Sequence, residues 1–303
     1  MTEEKRRENL AVPVGKVDVV LDTDAFNEID DQYAIVYLLR SAEKLSTKAI
    51  YAAPFFKEKV ASPKEGMEKS YEEILRVLAL LDEKREVFYG SEAFLPDEKT
   101  PVESPAARDL VDRAKKYSPD RPLYVIAIGA ITNIASAILM DREAMENTVI
   151  LWLGGNAQHY HDNFEFNMRQ DVAAARVVFS SGIPLIQLPC RGVVSEFILT
   201  LPEIEAYLDG KTKISSYLAQ ITKKEMARRK AEKIWSKPIW DVTAVAYLLN
   251  ENDRFMYSRQ IAAPQPGYDL QYEPMRECIS MQYVYHIKRD DLMRDLIAKL
   301  NRE

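Results

Sequence analysis

Five short apolar runs set the limits on what this chain can fold into. They are VDVVLDT (17–23), KAIYAA (48–53), LYVIAIG (123–129), TVILWLGG (148–155) and IPLIQLP (183–189). Each is rich in β-branched and large apolar residues, as strands buried on both faces are. Helical patterns fall between and after them, at 29–45, 63–81, 131–140 and 171–182. In the second of these, Met67, Tyr71, Ile74, Leu75 and Leu78 recur at helical spacing. Ser62 and Glu65 flank its start as a capping box does, with Pro63 at the first helical position. The fourth ends on Gly182, a common helix stop. A β-then-α alternation predicts the α/β class, with a mostly parallel, Rossmann-like open sheet and helices on both faces. From 201 to 249 the pattern is helical, which adds a helical C-terminal segment. The basic stretch KKEMARRKAEK (223–233) within it reads as a solvated helix face. Residues 1–16 read as a flexible N-terminal lead and 17–303 as a single domain.

The bulk composition removes several classes of function. The 303 residues are 47% hydrophobic and 29% charged, which suits a soluble α/β domain. A net charge of -6 argues against a nucleic-acid backbone as the main partner. The apolar runs are too short to span a bilayer, and the charged N-terminus lacks the apolar stretch of a signal peptide. Two cysteines, Cys190 and Cys278, make no disulfide framework, so a reducing cytoplasm is expected. There is no CxxC pair, Walker loop, GxGxxG or GxSxG, which removes the commonest zinc, nucleotide and serine-hydrolase readings.

Open α/β sheets bind ligands outside the carboxyl ends of their strands. DTDAFNEIDD (22–31), GAITN (129–133), GGNAQHYHDNFEFN (154–167) and PCRG (189–192) all lie at such ends and should converge on one site. The first packs four aspartates and a glutamate into ten residues. Asp30 and Asp31 suit the first turn of a helix, where the dipole favours acids. That account does not extend to Asp22 and Asp24, which strand alternation sends to the same side. Two unit charges about 4 Å apart repel by roughly 4 kcal/mol at an effective dielectric of about 20. A hard divalent cation held by carboxylate oxygens removes that cost, and calcium tolerates such crowded oxygen shells best.

The second polar cluster, 159–167, carries groups suited to sugar hydroxyls at Asp162, Asn163, Glu165 and Asn167. It also holds His159 and His161, two of only three histidines, the usual proton donors near neutral pH. Either this is an exposed polar loop or it supplies a catalytic acid. Glu165 and Asn167 alternate around Phe166, so an extended stretch would turn both to one ligand. The third cluster, PIWDVTAVAYLLN (238–250), puts Asp241 at the start of an apolar helix, just after Trp240. Alone it reads as a helix-start acid beside a core aromatic.

Together the clusters resemble the inosine–uridine-preferring nucleoside hydrolase family. That family opens on a strand ending in DxDxxxDD, then has a Gly-x-x-Thr-Asn helix start, a Gly-Gly strand end with a Glu-Phe-Asn motif, and a late Asp opening a helix with Ala-Val-Ala-Tyr. The counterparts here are DTD…DD, GAITN, LGGN…EFN and WDVTAVAY, in the same order across roughly residues 17 to 290. The resemblance implies calcium held by Asp24, Asp31 and Asp241, helped by the main-chain carbonyl of Ile128. Asp30 would take the proton from a calcium-bound water, and Asp22 would organise the loop. Glu165 and Asn167 would bind ribose hydroxyls, with Asn156 and Asn163 as further candidate contacts. The implied reaction cleaves the N-glycosidic bond of a ribonucleoside through an oxocarbenium-like transition state. A homodimer or homotetramer is also implied.

Three departures stand out. Five residues separate Asp24 from Asp30 where the family usually has three, so Asn27 and Glu28 are in effect an insertion and candidate substrate contacts. The second strand ends in AAPFF (52–56), where the family carries a sugar-binding Asn. Trp240 stands where pyrimidine-tolerant members place a His that protonates the base, and where purine-specific members stack a Trp. A purine-like, flat leaving group is therefore expected, with Trp240, His159 and His161 as the candidates for activating it. Two alternatives remain open on the sequence: a nucleoside- or sugar-binding protein that has lost the chemistry, and a related glycosidase acting on a non-nucleoside sugar. A haloacid-dehalogenase-like reading of VVLDTD is disfavoured by Phe26, where that motif wants Thr or Val.

Overall fold

The computed structural model describes residues 1–228, 236–274 and 279–302. In chain order its elements begin with α1 Glu3–Asn9, β1 Val17–Thr23, α2 Asp30–Leu39, β2 Leu45–Ala52, α3 Pro63–Leu80, β3 Glu86–Tyr89 and α4 Pro105–Ala114. Next come β4 Leu123–Ala127, α5 Thr132–Met140, α6 Arg142–Met145, β5 Thr148–Leu153, α7 Phe166–Gln170, α8 Val172–Ser180 and β6 Leu185–Leu188. The last third holds β7 Ile198–Thr200, α9 Leu201–Tyr207, α10 Lys213–Arg228, β8 Ser236–Pro238, α11 Val242–Tyr247, β9 Met256–Ala262, β10 Gln265–Pro266, β11 Tyr272–Glu273, β12 Ser280–Ile287 and α12 Arg289–Leu300.

Eight strands form one sheet in the order β3-β2-β1-β4-β5-β6-β12-β9. All neighbours pair parallel except β9, which runs antiparallel to β12 at one edge. The register runs straight across the centre, Leu21 beside Ile126, Ile126 beside Leu151 and Leu151 beside Ile186. Those four side chains join the core on one face, with α2 and α11. Their chain neighbours Val20, Val125, Ile150 and Leu185 join the core on the other, with α4, α5 and α8. This is the period of two that a strand buried on both sides must show. Each fully buried Leu, Ile or Val contributes about 1.5–3 kcal/mol, which offsets the cost of the charges gathered at the strand ends.

The alternation therefore forms as the sequence predicts, with differences that have physical causes. The helix read over 29–45 stops at Leu39, because a turn at Ser41–Lys44 feeds β2 directly. Ser62 accepts from the Glu65 amide at 3.1 Å, but the Glu65 carboxylate takes the amide of Ala61, so the capping box is displaced by one residue. The lead read as flexible contains α1. Buried Arg6 donates to the backbone carbonyl and hydroxyl of Ser280, and the Leu10 carbonyl accepts from Tyr247. The C-terminal segment carries the helices α9, α10 and α11, with the short strand β8 before α11, and then returns β9 and β12 to the sheet. Of the basic stretch 223–233, residues 229–233 lie outside the described residues, as does Cys278. No described helix is long and apolar enough to cross a membrane.

Strand order reverses direction at β1. The chain moves outward to β2 and β3, then returns to β4 on the other side. Such a switch point leaves a crevice between β1 and β4, at their carboxyl ends.

Candidate active site

That crevice opens into a cleft of about 410 Å3. The loop after β1 supplies Asp24, Asn27 and Glu28, and the first turn of α2 supplies Asp30 and Asp31. Ile128 comes from the end of β4, Glu165 and Asn167 from the start of α7, and Trp240 and Asp241 from the approach to α11. The motifs after β1, β4, β5 and β6 converge here because they follow parallel strands, whereas Trp240 and Asp241 arrive after β8, which pairs antiparallel with β7.

Glycine makes the convergence possible at two points. A Cβ at Gly129 would stand 3.0 Å from Asp24 Oδ1 and 3.1 Å from Ala53 Cβ. Gly155 has φ +75, and a Cβ there would overlap the Tyr272 hydroxyl at 2.3 Å. Only glycine takes that conformation without strain, and it turns the chain from β5 toward the 156–167 loop.

The carboxylates are buried, and most of their charge is unanswered. Asp22, Asp24, Asp30, Asp31 and Asp241 are each 4% exposed or less. Oxygens of Asp30, Asp31 and Asp241 lie within 4.8 Å of one another. Asp24 faces the same cleft but lies outside that closest trio. Asp22 accepts from Asn133 Nδ2 at 2.7 Å, and Asp31 accepts from Thr23 Oγ1. Among the described residues no N–H or hydroxyl reaches either oxygen of Asp30, or one oxygen each of Asp22 and Asp24; the Asp30 carboxylate lies instead beside the carboxyl of Asp241. Burial lifts the Asp22 carboxyl to about 7. Burial, then the charge of Asp30, lifts Asp31 to about 8. Burial lifts Asp30 to about 6 against the opposing pull of Lys237. Asp24 and Asp241 are pushed well up by burial and then by their acidic neighbours. Protein alone does not stabilise this arrangement as anions. The carboxylates of Asp24, Asp30, Asp31 and Asp241 line one cleft with Ile128, and with its carbonyl they offer an all-oxygen donor set, which fits a hard divalent cation.

Glu165 and Asn167 reach the cleft by a route the sequence did not suggest. Residues 166–170 are helical rather than extended. Glu165 is the cap of α7, and its carboxylate accepts from the amides of Gly155 (2.9 Å), Asn167 (3.0 Å) and Met168 (2.9 Å). Asn167 Nδ2 donates to the carbonyls of Ile128 (3.0 Å) and Leu153 (2.9 Å), tying β4 to β5. Its side-chain oxygen stays available to the cleft.

The rest of that polar loop stands apart. Asn156 is fully buried and donates to the Asp162 carbonyl and carboxylate. Asn163 Oδ1 accepts from the Asn156 amide at 2.7 Å, so this pair shapes the loop from within. Neither lines the cleft. His159 and His161 are exposed and outside the lining too, with His161 Nε2 2.9 Å from Asp162.

Asn27 and Glu28 do enter the cleft, and they bring basic residues that sequence reasoning missed. Glu28 pairs with Lys237 at 2.6 Å and Lys57 at 3.3 Å. Burial opposes its charge, but the two lysines hold its carboxyl at about 2. Burial likewise works to discharge Lys237, yet Asp30 and Glu28 hold its ammonium above the ordinary value. Lys59 Nζ donates to the Asn27 carbonyl at 2.8 Å. Arg169, Arg191 and the buried thiol of Cys190 also line the cleft. Nothing in the local sequence of SKPIW (236–240) marks Lys237, and its ion pair with Glu28 across the fold reveals its place.

Known proteins match this architecture. The first 136-residue similarity, 29% identical, is to a protein named probable uridine nucleosidase 2 from Arabidopsis thaliana, spanning 44% of this chain and 41% of that protein. A pyrimidine-specific ribonucleoside hydrolase, RihA, from Salmonella arizonae is 25% identical over 76% of this chain and 79% of its own length. A purine-preferring ribonucleoside hydrolase from Gardnerella vaginalis shares the fold with a TM-score of 0.76 and 21% identity, over 94% of this chain and 98% of that one. An inosine-guanosine nucleoside hydrolase superposes with a TM-score of 0.76 and 14% identity, over 95% and 99% of the two chains. The sequence profile described as inosine-uridine preferring nucleoside hydrolase matches residues 19–282, most of the chain. This chain therefore belongs to the inosine-uridine preferring nucleoside hydrolase family, a family of hydrolases.

Proposed function

We infer that this protein hydrolyses the N-glycosidic bond of a ribonucleoside, with calcium as its resident cation. One observation carries the reading. Among the described residues, both oxygens of Asp30 are buried at the wall of the cleft with no N–H or hydroxyl donor, beside the carboxyl of Asp241, and one oxygen of Asp24 likewise has no donor. A binding module has no use for a costly, unpartnered carboxylate, whereas a base that takes a proton from water needs one. Asp24, Asp31, Asp241 and the Ile128 carbonyl would hold the cation, which when bound acidifies water and neutralises the cluster. Asp30 accepts the proton of the attacking water. Asn167, through its free side-chain oxygen, and Glu165 orient the ribose hydroxyls. The surrounding carboxylates stabilise the positive charge that develops on the sugar as the bond to the base breaks.

Trp240 supports a flat, purine-like leaving group, since an indole face offers stacking area and no proton-transfer group. Relatives named for pyrimidine and for purine substrates both resemble this chain, so that preference rests on Trp240 alone. The free, buried Cys190 suits a reducing cytoplasm, and the family resemblance supports a homodimer or homotetramer. The experiment is a reducing-sugar assay over a panel of purine and pyrimidine ribonucleosides, with calcium and after chelation. Calcium-dependent release of ribose is expected. Binding of nucleosides without any released sugar would leave the binding-protein reading in its place.

A further inference from the structure

Lys237 and the inserted Asn27-Glu28 pair meet at one wall of the cleft. Lys237 is 6% exposed, yet its ammonium makes one hydrogen bond, to Glu28 Oε2 at 2.6 Å. Asp30 Oδ1, at 3.9 Å, attracts it but lies beyond hydrogen-bond reach. An ammonium carries three donors and no acceptor, and buried polar groups are nearly always paired. Two N–H groups of a cleft-lining cation thus have no acceptor among the described residues. The same Nζ sits over the Trp240 ring, 5.0 Å from its centroid, in a cation–π contact that leaves the opposite indole face for a base. Lys57, on the other side of Glu28, holds the carboxylate in place at 3.3 Å. The two extra residues after β1 therefore serve to fix a lysine beside the stacking surface.

We propose that Lys237 is a leaving-group contact: held by Glu28 beside Trp240, its ammonium bonds to acceptor atoms on the edge of the stacked base and selects bases that present an oxo oxygen there. The inference rests on the nucleoside-hydrolysis reading of the same cleft. In the step it serves, the oxygen of water bonds to the anomeric carbon and the carbon–nitrogen bond breaks. That bond's electron pair goes to the base nitrogen, and Asp30 takes the proton from water. The base departs as an anion beside the Lys237 cation and gains a proton from solvent, Asp30 releases its proton to solvent, and the sum is that water and nucleoside give ribose and neutral base. A 6-oxopurine offers adjacent oxygen and nitrogen acceptors to a lysine, whereas a 6-aminopurine puts a donor at the same edge. A base that is already cationic is repelled.

The test compares inosine, adenosine and p-nitrophenyl β-D-ribofuranoside as substrates for the full chain with calcium. The wild-type protein is expected to favour inosine over adenosine. Lys237→Met should lower kcat/KM for inosine by about 10- to 100-fold, the loss expected for a hydrogen bond to a charged group. The preference over adenosine should narrow with it. The loss on the nitrophenyl riboside, whose leaving group is stable as an anion unaided, should be about tenfold smaller. Glu28→Gln should move the same ratios less far, and Lys237→Arg should restore part of the inosine activity. Equal losses on all three substrates would assign the lysine to Asp30 alone and overturn the proposal. Calorimetry with free hypoxanthine and adenine reads the contact without turnover. Hypoxanthine binding that weakens in Lys237→Met supports the contact even if no substrate is cleaved, an outcome that defeats only the hydrolase reading. Equal hypoxanthine binding by both proteins overturns the contact.

Discussion

Two groups of buried carboxylates in this molecule are handled in opposite ways. Glu165 and Asp171 cap α7 and α8, and the backbone answers each of them. Three amides reach Glu165, while Asp171 takes the Leu95 and Ala174 amides and the Thr132 hydroxyl. Asp24 and Asp30, at the end of β1 and the start of α2, are as deeply buried but keep unpartnered oxygens. Burial is common to both groups, so burial does not mark the reactive one. The unanswered acceptors do, because a fold that can cap Asp171 with three donors could have capped Asp30 as well.

The largest effect that bears on this contrast is on turnover. Asp30→Asn should lower ribonucleoside hydrolysis by about 1000-fold, within the range for a lost general base, while circular dichroism stays that of the parent. A reducing-sugar assay reads it, and retained turnover would remove the role of Asp30. Next come effects on stability, with opposite signs in the two groups. Glu165→Ala leaves three buried amides unpaired and should cost about 3 kcal/mol in urea unfolding. Asp24→Asn in the metal-stripped protein removes a repulsion and should leave stability equal or raised. If both variants destabilise alike, the contrast fails.

A smaller effect is the pH dependence of the metal-stripped protein. In the folded state burial pushes the Asp22 carboxyl up to about 7, and burial with the Asp30 charge pushes Asp31 up to about 8, both from 3.8. Between those values the folded chain keeps protons that the unfolded chain has released. Its stability is therefore greatest below about pH 4 as far as these groups go, and falls as pH rises toward about 8. Urea melts across that window should show the decline, and excess calcium should flatten it. The smallest effect is at the histidines. His159→Ala and His161→Ala should each leave kcat/KM within about twofold, as exposed substitutions away from a site do; a large loss from either would return that loop to the chemistry.

Much of this was legible in the sequence because parallel strands place their motifs by rule. Apolar runs correspond to β1, β2, β4, β5 and β6, and the motifs at 22–31, 154–167 and 189–192 each send residues into one crevice, while GAITN supports it through Asn133, which donates to Asp22. Two kinds of feature escaped. Short or half-exposed edge strands carry weak patterns: β3 has four residues, and β9 is mostly exposed along its length. Side chains that arrive from distant elements leave no local mark. Lys237 lies 209 residues beyond Glu28, and nothing in its neighbours announces the pair. The 154–167 segment divides: Glu165 and Asn167 line the cleft, while Asn156 and Asn163 hold the loop from within. The insertion at Asn27-Glu28 was visible by its spacing, but its partner was visible only in three dimensions.

The central claim is that the buried aspartates Asp24, Asp31 and Asp241 hold a cation beside Asp30, and calorimetric titration of the metal-stripped protein with calcium tests it most directly. The account predicts one site per chain, lost in Asp241→Asn, with unfolding free energy raised by about 2.7 kcal/mol at a hundredfold excess over Kd. No binding heat and no change in stability would contradict it.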